Sequence, residues 1–262
     1  MTVTEPAATA PKPTRTPLAA AAVIVPAHDE EELLGACLDA LEPAAWHARE
    51  AGVRRVLKLV VADGCTDATR ATARARGAVC LTLNGRNVGA ARAAGAAEAL
   101  AELAREGYDP AQVYLLHTDA DTVVPPDWLV RHLQVAARHD AVLGPVEVRD
   151  WTPRGEACAR LFERACALEP DGSRVHGANL GVRAEAYLRA GGFPALAVAE
   201  DRALVEALRT AGESVEFRPD LAVFTSARIS RRVRGGFSDF LSRLEEHRPA
   251  APVGLPEAIR VG

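Results

Sequence analysis

Short apolar segments alternate with helical patterns along most of the chain, and this alternation limits the folds that are open to it. In the first half the apolar segments are Ala21–Val25, Val56–Val61, Val79–Leu83 and Val113–His117. Between them, apolar residues recur at the three- and four-residue spacing of a helix. Strands that alternate with helices form a parallel sheet with helices on both faces. The sequence therefore predicts an α/β fold.

The remaining elements follow from the same patterns. Helices are predicted at Glu30–Leu41, from Thr66 or Asp67 to Arg76, and at Gly89–Glu106, Asp127–Arg138, Glu156–Leu168, Asp201–Ala211 and Phe237–Glu246. Further strands are predicted at Ala141–Val148, Ala178–Val182, Val215–Phe217 and Leu221–Phe224, with a polar loop at 169–174. No repeat or linker divides the chain, so we expect one composite domain at 18–247. A disordered tail is expected at 1–17 and a loose one at 248–262.

The composition excludes several classes of protein. A net charge of -4 and a pI near 6.0 argue against a nucleic-acid partner. The odd number of cysteines, five, with no CxxC pair indicates reduced thiols. The longest apolar run, Leu18–Pro26, is too short to span a bilayer, and no signal peptide precedes it. We expect a cytoplasmic protein without a transmembrane segment.

The strongest candidate for chemistry is the pair Asp119 and Asp121, which follows a buried strand. On extended backbone these carboxylates would point the same way, about 6–7 Å apart. Their repulsion is relieved when a divalent cation bridges them to a diphosphate. Oxygen ligands suit Mg²⁺ or Mn²⁺. The alternative is an acidic turn before Pro125 and Pro126.

Two further candidates lie at neighbouring strand ends. Asp63 ends the second strand, at the edge where ligands of open α/β sheets bind, and is a candidate for a base or ribose contact. The alternative is a tight turn in which Thr66 or Asp67 caps the next helix. Arg92 follows Asn87 and Gly89 at a helix start and suits a phosphate, although a lone helical arginine is more often solvated.

The second half offers weaker candidates. Glu200 and Asp201 open a helix, where the macrodipole alone favours acidic residues; one of them is otherwise a general base. His176 and Asn179 flank glycines that admit close approach of a ligand, or that form a turn.

A cluster of arginines near the C-terminus is either an anion clamp for diphosphate or a lipid headgroup, or a solvated face. Its members are Arg228, Arg231, Arg232 and Arg234.

Two nucleotide-binding classes are excluded. The first strand is followed by residues 26–30 without a glycine, so the dinucleotide fingerprint is missing from its required position. The chain contains no GxxxxGK[ST] phosphate loop.

Taken in order, these segments resemble the family 2 glycosyltransferases. The segments that carry the resemblance are Val23–Glu31, Val60–Asp67, Asn87–Arg92, Thr118–Thr122, Gly177–Gly181, Gly191–Phe193 and Glu200–Asp201. The resemblance implies a GT-A fold, with a Rossmann-like nucleotide-binding half at 18–122 and an acceptor half at 123–247. Ala62 and Cys65 depart from the acidic residue and the serine that are usual there.

The resemblance also implies roles for the candidates. Pro26, Glu30, Asp63 and Arg92 would hold the nucleotide of a UDP- or GDP-sugar, and Asp119 and Asp121 would bracket metal and diphosphate. Asp201 falls on the catalytic base, and His176, Asn179 and Glu200 on the acceptor and donor loop. Arg228, Arg232 and Arg234 loosely resemble arginines that clamp the diphosphate.

The expected reaction is an inverting transfer, of a hexose, to an unidentified acceptor that is lipid-linked or a small molecule. A lipid-linked acceptor would bring the enzyme to the inner membrane face. The alternatives are a nucleotidyltransferase, which would need a lysine-bearing glycine-rich loop after the first strand, and a silent nucleotide-sugar-binding or scaffold protein. The absence of that loop and the joint retention of Asp63, Asp119, Asp121 and Asp201 argue against them.

Overall fold

The four apolar segments of the first half form adjacent parallel strands, as predicted. β1 is buried along almost its whole length, which is typical of a parallel sheet covered on both faces. The strands are Ala20–Ala27 (β1), Arg55–Asp63 (β2), Val79–Leu83 (β3) and Val113–His117 (β4). The predicted α/β class is confirmed.

Two sheets are present in the described part of the chain. The second half supplies Thr122–Val123 (β5), Ala141–Leu143 (β6), Val146–Val148 (β7), Leu180–Arg183 (β8), Val215–Phe217 (β9) and Val223–Thr225 (β10). The large sheet has seven strands in the order β3-β2-β1-β4-β8-β6-β9, and only β8 runs antiparallel to its neighbours. The small sheet has three strands in the order β5-β10-β7.

Helices cover both faces of the large sheet, and each face has its own apolar core. One face carries Leu34–Glu50 (α1), Thr69–Ala75 (α2) and Trp128–Ala136 (α4). The other carries Val88–Arg105 (α3), Ala184–Arg189 (α6) and Glu200–Thr210 (α7). A third apolar cluster joins Gly155–Ala167 (α5) to Phe237–Glu246 (α8) beside the sheets.

Small side chains let α3 lie close to the sheet. A Cβ added at Gly95 would lie 2.6 Å from Ile24 Cγ2 and 2.8 Å from Val61 Cγ2. Such contacts are shorter than van der Waals distance, so any larger side chain would push the helix away. This confirms the interpretation of α3 as a closely packed helix and fixes the depth of its first turn, which carries Arg92.

The predicted strand at Ala141–Val148 is wrong, because the chain forms two strands there in different sheets. β6 ends at Leu143 and pairs with β8 and β9, whereas β7 begins at Val146 and pairs with β10. The break falls at Gly144, whose added Cβ would meet Asn179 Nδ2 at 2.3 Å. Gly144 and Pro145 therefore carry the chain from one sheet to the other.

Pro26 lies inside β1 and Pro43 inside α1, although the sequence predicts that both elements end before these prolines. β1 continues through Pro26 to Ala27. Thr118 N donates to Ile24 O, so the backbone of residue 24 faces β4, and that of residue 26 faces the same side. β4 has already ended at the level of residue 26, so the missing N–H of Pro26 costs no hydrogen bond of the sheet. α1 begins four residues later than predicted, at Leu34, and continues through Pro43 because residues beyond it are buried in the core.

The sheet order creates a crevice beside β1. β2 and β3 lie on one side of β1, and β4 lies on the other. Loops that leave the carboxyl ends of β1 and β4 therefore diverge, and open α/β sheets bind ligands at such switch points. The segments after β1, β2 and β4 are those that carry Glu30, Asp63, Asp119 and Asp121.

The structure, a computed structural model, describes residues 15–167, 175–229 and 236–246. The predicted C-terminal tail, most of the N-terminal tail, the loop at 169–174 and the candidates Arg231, Arg232 and Arg234 lie outside these residues. Residues 15–17, which the analysis included in the tail, contact the fold: Arg15 Nη2 donates to Asp140 Oδ2 at 2.9 Å, and Thr16 O accepts from Arg183 Nη2 at 2.5 Å.

Two observations bear on the expectations about thiols and membranes. All five cysteines are described and none forms a disulfide, as the sequence predicts. Across the residues that the structure describes, no helix combines the length and the apolar character needed to cross a membrane.

Candidate functional site

Asp119 and Asp121 lie in a turn between the two sheets. Thr122 N donates to Asp119 O at 3.1 Å, so the segment is a tight turn and not the extended backbone that the sequence analysis assumed. β4 ends just before this turn and β5 begins just after it. The carboxylates are still close enough that the charge of Asp119 raises the pKa of Asp121.

Asp121 is mostly buried and has a partner on each oxygen. Its Oδ1 accepts from Thr225 Oγ1 at 3.2 Å, and its Oδ2 lies 3.2 Å from Arg228 Nη2. Burial raises the pKa of Asp121 to about 6, the charge of Arg228 opposes that rise, and the charges of Asp119 and Glu30 add to it. Thr225 was not predicted as a site residue, because only the pairing of β10 with β5 brings it to Asp121.

Arg228 joins Asp121 to Glu30. Its Nη1 donates to Glu30 Oε2 at 2.5 Å, and its Nη2 donates to Glu30 Oε1. Glu30 is fixed from the other side, since its backbone N–H donates to Thr69 Oγ1 at 2.7 Å. Arg228 is therefore not on a solvated face, and it bridges two carboxylates at the carboxyl edge of β1 and β4.

Arg92 forms a second bridge and is buried, which excludes the solvated-surface alternative. Its Nη2 donates to Asp119 Oδ1 at 2.6 Å, and its Nε donates to Glu200 Oε1 at 3.1 Å. Burial lowers the pKa of Arg92, but the charges of Asp119, Glu200 and Asp201 outweigh it and hold the pKa above its ordinary value. Arg92 thereby links the turn after β4 to the first turn of α7.

Gly177 is required for this bridge. A Cβ at Gly177 would lie 2.5 Å from Arg92 Nη2, so the absence of a side chain at Gly177 leaves room for the guanidinium. Its backbone N–H donates to Asp201 Oδ2 at 2.8 Å. The absence of a side chain at Gly177 therefore allows Arg92 and Asp201 to lie on either side of one peptide segment.

Glu200 and Asp201 have different environments although they are adjacent. Burial raises the pKa of Glu200, and the charge of Arg92 lowers it. Asp201 is partly exposed, and its Oδ1 accepts from Arg202 N at 2.7 Å. The two backbone amides orient the Asp201 carboxylate, and each oxygen keeps a lone pair for another hydrogen bond.

Asp63 holds the loop between β3 and α3. Its Oδ1 accepts from Gly85 N at 2.6 Å and its Oδ2 from Asn87 N at 2.8 Å. Asn87 then caps α3, since its Oδ1 accepts from Ala90 N at 2.9 Å. Asp63 thus combines a turn-forming role with a position beside the crevice. The predicted helix start at Thr66 or Asp67 is wrong, since α2 begins at Thr69 and its N-cap residue is Ala68. Asp67 Oδ1 still accepts from Thr69 N at 2.9 Å, one residue ahead of the N-cap.

Asn179 belongs to the scaffold rather than to an exposed ligand-binding loop. It is fully buried, and its Nδ2 donates to Pro145 O at 2.9 Å and to Leu221 O at 2.6 Å. Its Oδ1 accepts from Trp128 Nε1 at 2.9 Å. These bonds tie β8 to the break between β6 and β7. His176, at the start of the same loop, is half-buried with its ring 6.4 Å from that of Phe237.

Arg154 was also not predicted. Its side chain is fully buried ahead of α5, and it donates to Ala227 O at 2.9 Å, Ser238 O at 2.9 Å and Glu245 Oε2 at 2.7 Å. It thereby holds the segment after β10 against α8. A lone arginine beside a helix start gives no signal of such a role in the sequence.

The residues around Asp119 and Asp121 fit a hard divalent cation. Asp119 is 38% exposed, and within the described residues its Oδ2 accepts no hydrogen bond. Among the residues that the structure describes, the site holds five carboxylates (Glu30, Asp119, Asp121, Glu200 and Asp201) and two guanidiniums (Arg92 and Arg228). This excess of negative charge would repel a diphosphate unless a cation accompanied it.

A second group of potential ligands lies just after the ends of β1 and β2. His28, Asp29 and Cys65 place one ligand atom each within 4.8 Å of one another. These groups already hold the turn: His28 Nδ1 lies 2.8 Å from Asp63 O, Asp29 Oδ1 accepts from Thr66 N, and Cys65 Sγ donates to Ala27 O. Their bonds explain how Asp29 keeps a φ of 52°. Beside them a cavity of about 250 Å³ opens between Glu30, Thr66 and Arg228.

Comparison with known proteins identifies the family of the chain. The sequence profile described as Glycosyl transferase family 2 matches residues 22–182, more than half of the chain. A search of curated proteins found no match.

Solved structures share the fold at low identity. A mannosyltransferase, PcManGT from Pyrobaculum calidifontis in complex with GDP-Man and Mn²⁺, is 22% identical with a TM-score of 0.56, over 87% of this chain and 61% of that one. S. aureus TarS 1-349 in complex with UDP-GlcNAc is 16% identical with a TM-score of 0.56, over 83% and 61%. Glucosyl-3-phosphoglycerate synthase from Mycobacterium tuberculosis in complex with Mn²⁺, UDP-Glc and phosphoglyceric acid is 19% identical with a TM-score of 0.50, over 90% and 82%. The match to another structure of S. aureus TarS spans 36% of that chain.

Proposed function

Since the chain belongs to glycosyl transferase family 2, we propose that it transfers a sugar from a nucleoside diphosphate donor to an acceptor hydroxyl with inversion at the anomeric carbon. The observation that carries the proposal is the double bridge of Arg92 to Asp119 and Glu200. This bridge holds the acidic turn after β4 opposite the start of α7, where Asp201 lies. The bridge therefore supports placing the donor site at this turn and the base at the start of α7.

The donor side is the crevice beside β1. In this proposal Asp119 and Asp121 hold Mg²⁺ or Mn²⁺, which, when bound, neutralises the charge of the diphosphate as it leaves. Pro26, Glu30 and Asp63 hold the nucleoside along the ends of β1 and β2. Structures of similar fold in complex with GDP-Man or UDP-sugars support a GDP- or UDP-linked hexose.

Asp201 is the proposed general base. Its carboxylate is oriented by Gly177 N and Arg202 N, and it remains partly exposed. An acceptor hydroxyl that gives its proton to Asp201 attacks the anomeric carbon from the side opposite the diphosphate. The sugar–acceptor bond forms as the sugar–phosphate bond breaks, and the nucleoside diphosphate carries away the electron pair. Inversion follows from attack on the face opposite the leaving group.

The arginines have different roles in this proposal. Arg92 is a positioning residue that neutralises Asp119 and Glu200, because its buried guanidinium already serves both carboxylates. Arg228, which is more exposed, binds the diphosphate. Arg232 and Arg234 follow it in the sequence, and we propose that they also bind the diphosphate.

The acceptor is proposed to be a small molecule or a lipid-linked sugar. A groove of about 400 Å³ runs along α7, and its charged lining residues are Arg202, Glu206 and Arg209, a net charge of about +1. Two arginines seven residues apart lie on one side of a helix and favour an acceptor that carries negative charge. The Mycobacterium tuberculosis structure of similar fold was solved with phosphoglyceric acid, which supports including phosphorylated acceptors in a screen.

The test begins with the donor. Nucleoside diphosphates and their sugars are titrated into the protein by calorimetry with and without Mn²⁺, and the donor that binds is assayed for metal-dependent hydrolysis. Asp121→Ala should abolish metal-dependent binding and leave the fold intact, because it removes a proposed ligand from a turn. Asp39→Ala, an exposed carboxylate on α1, should bind normally. Unchanged metal-dependent affinity in Asp121→Ala would refute the donor site.

A further inference from the structure

We propose that Arg228 is an internal counter-ion that occupies the cation position of the donor site until a nucleoside diphosphate draws it away. Divalent metal and nucleotide would then each strengthen the binding of the other. The inference rests on the proposed function, because it concerns the same metal site. One arm of its test uses the metal alone and does not depend on which nucleotide the protein takes.

The position of the Arg228 guanidinium supports this assignment. It donates to both oxygens of Glu30 and lies 3.2 Å from Asp121 Oδ2. Burial lowers the pKa of Arg228, but its bond to Glu30 and the charges of Asp121, Glu30 and Asp119 outweigh that and keep it charged. A positive group therefore already stands among three carboxylates that would otherwise attract a metal ion.

Metal and guanidinium compete for one oxygen. Oδ1 of Asp121 accepts from Thr225 Oγ1, and Oδ2 lies 3.2 Å from Arg228 Nη2, so a metal ion that binds Oδ2 would share that oxygen with the guanidinium. Mg²⁺ binds carboxylate oxygen at about 2.1 Å, well inside the distance at which an arginine nitrogen sits. Both cations carry positive charge and have no anion between them. A metal ion that binds alone must therefore displace Arg228 or bind against its repulsion.

Hydrogen bonds hold the backbone near Arg228, whereas its side chain borders an open cavity. Ser238 Oγ donates to Arg228 O at 3.1 Å, and Arg154 Nε donates to Ala227 O at 2.9 Å. The side chain of Arg228 is 27% exposed, whereas that of Arg92 is 3% exposed. Movement is thus confined to the Arg228 side chain, which borders the open cavity beside Glu30.

A diphosphate removes the competition. Its oxygens offer the guanidinium a strong bidentate partner and offer the metal further oxygen ligands. Once Arg228 turns to the diphosphate, the Oδ2 of Asp121 is released to the metal. Because coupling free energies are reciprocal, the factor by which nucleotide strengthens metal binding must equal the factor by which metal strengthens nucleotide binding.

The experiment measures Mn²⁺ binding by calorimetry and by electron paramagnetic resonance, without nucleotide and with saturating UDP or GDP. The proteins are the wild type, Arg228→Gln, Arg228→Lys and Arg131→Gln. Arg131 is the matched control, since it is an arginine of similar exposure, 32%, paired with Asp220 away from the site. Arg228→Lys keeps the charge, so it separates the loss of charge from the change of side chain. Melting curves show whether each variant is folded.

We expect Arg228→Gln to bind Mn²⁺ alone about tenfold more tightly than the wild type, within the usual range of coupling factors. Its metal–nucleotide coupling should fall by the same factor, while Arg131→Gln stays near the wild type and Arg228→Lys, which keeps the charge but loses the bidentate contacts, lies between Arg228→Gln and the wild type. Adding Asp121→Asn to Arg228→Gln should remove the gain, which places the metal at this turn.

Equal or weaker binding of Mn²⁺ alone to Arg228→Gln overturns the inference, and so does unchanged coupling. Failure of every nucleoside diphosphate to bind with Mn²⁺ refutes the proposed function, and the arm with metal alone still decides the role of Arg228. Normal donor binding with unchanged coupling refutes the inference and leaves the proposed function standing.

Discussion

Replacing Arg92 by methionine tests whether its main role is to neutralise two carboxylates or to bind phosphate. Methionine keeps much of the length and volume of the side chain but removes its charge. Glu200, which is 5% exposed, would then have no cation beside it, and Asp119 would lose one of its hydrogen bonds. The two carboxylates are not equivalent, since Asp119 is far more exposed to water.

The magnitude follows from that difference. Removing one partner of a buried ion pair costs about 3–5 kcal/mol of unfolding free energy, because the remaining charge is left unpaired in the interior. An exposed pair contributes about 1 kcal/mol or less, so Asp119 adds little. Burial already raises the pKa of Glu200, and loss of Arg92 raises it further, so Glu200 takes up a proton more readily in the variant. The loss of stability should therefore be larger at pH 8 than at pH 5.

Urea unfolding of Arg92→Met measures this loss, with Arg55→Met as the matched control. Arg55 pairs with Glu106, and both side chains are about one-third exposed, so that control should lose about 1 kcal/mol or less. Adding Glu200→Gln to Arg92→Met removes the unpaired charge and should restore most of the stability.

Three results would refute the reasoning. The first is a loss in Arg92→Met no larger than that of the control. The second is a double variant no more stable than Arg92→Met. The third is a stable double variant that no longer binds nucleoside diphosphate with Mn²⁺, which would make Arg92 a phosphate ligand instead of a positioning residue.

Three further predictions concern single side chains. Asp201→Asn should lower turnover by about 10²–10⁴-fold with a nearly unchanged melting curve, and near-normal turnover, or a product whose NMR shows the donor's anomer, would contradict the base. In chelator, the folded-state pKa of Asp121, about 6, exceeds its unfolded value of about 3.9, so folding takes up a proton and this residue's contribution to stability should increase as the pH falls from 7 to 4. Asp121→Asn should remove that contribution, and an unchanged pH dependence of urea unfolding would count against it. Arg154→Ala should lose about 2–3 kcal/mol in urea unfolding through its charged hydrogen bonds, whereas the exposed Arg160→Ala should lose less than about 0.5; equal losses would exclude the anchoring role.

The strands of the first half could be predicted because each is a short apolar run with turn residues at its end. Val79–Leu83 and Val113–His117 have the same bounds in sequence and structure. The strand at 141–148 could not, because its apolar pattern continues across Gly144 and Pro145 although the pairing partners change there. Which sheet a short strand joins depends on contacts with residues about 40 to 80 positions away. The spacing of apolar residues within the strand gives no information about these contacts.

The candidate site was predictable as a set of acidic residues but not as a charge network. Asp119, Asp121 and Asp201 follow from strand ends, a helix start and the family resemblance. Their partners do not, because Arg92 lies 27 residues from Asp119 and Arg228 lies 198 residues from Glu30. The burial of Asn179 could not be predicted for the same reason. A sequence does not distinguish a buried amide that joins two loops from an exposed amide that binds a ligand.

The two arginines hold the acidic turn in different ways: Arg92 is buried against Asp119, whereas we propose that Arg228 can leave Asp121. Arg92 is held at Asp119 by a buried environment, by Gly177 above it and by Glu200, and it has little access to solvent. Arg228 reaches Asp121 from an anchored backbone but borders an open cavity. In the proposed reaction a diphosphate competes only for the more exposed guanidinium, so Asp119 would stay tied to α7 while Asp121 would exchange one cation for another. Donor binding would then complete the proposed metal site without disturbing the link between Arg92 and Glu200, next to the proposed base Asp201.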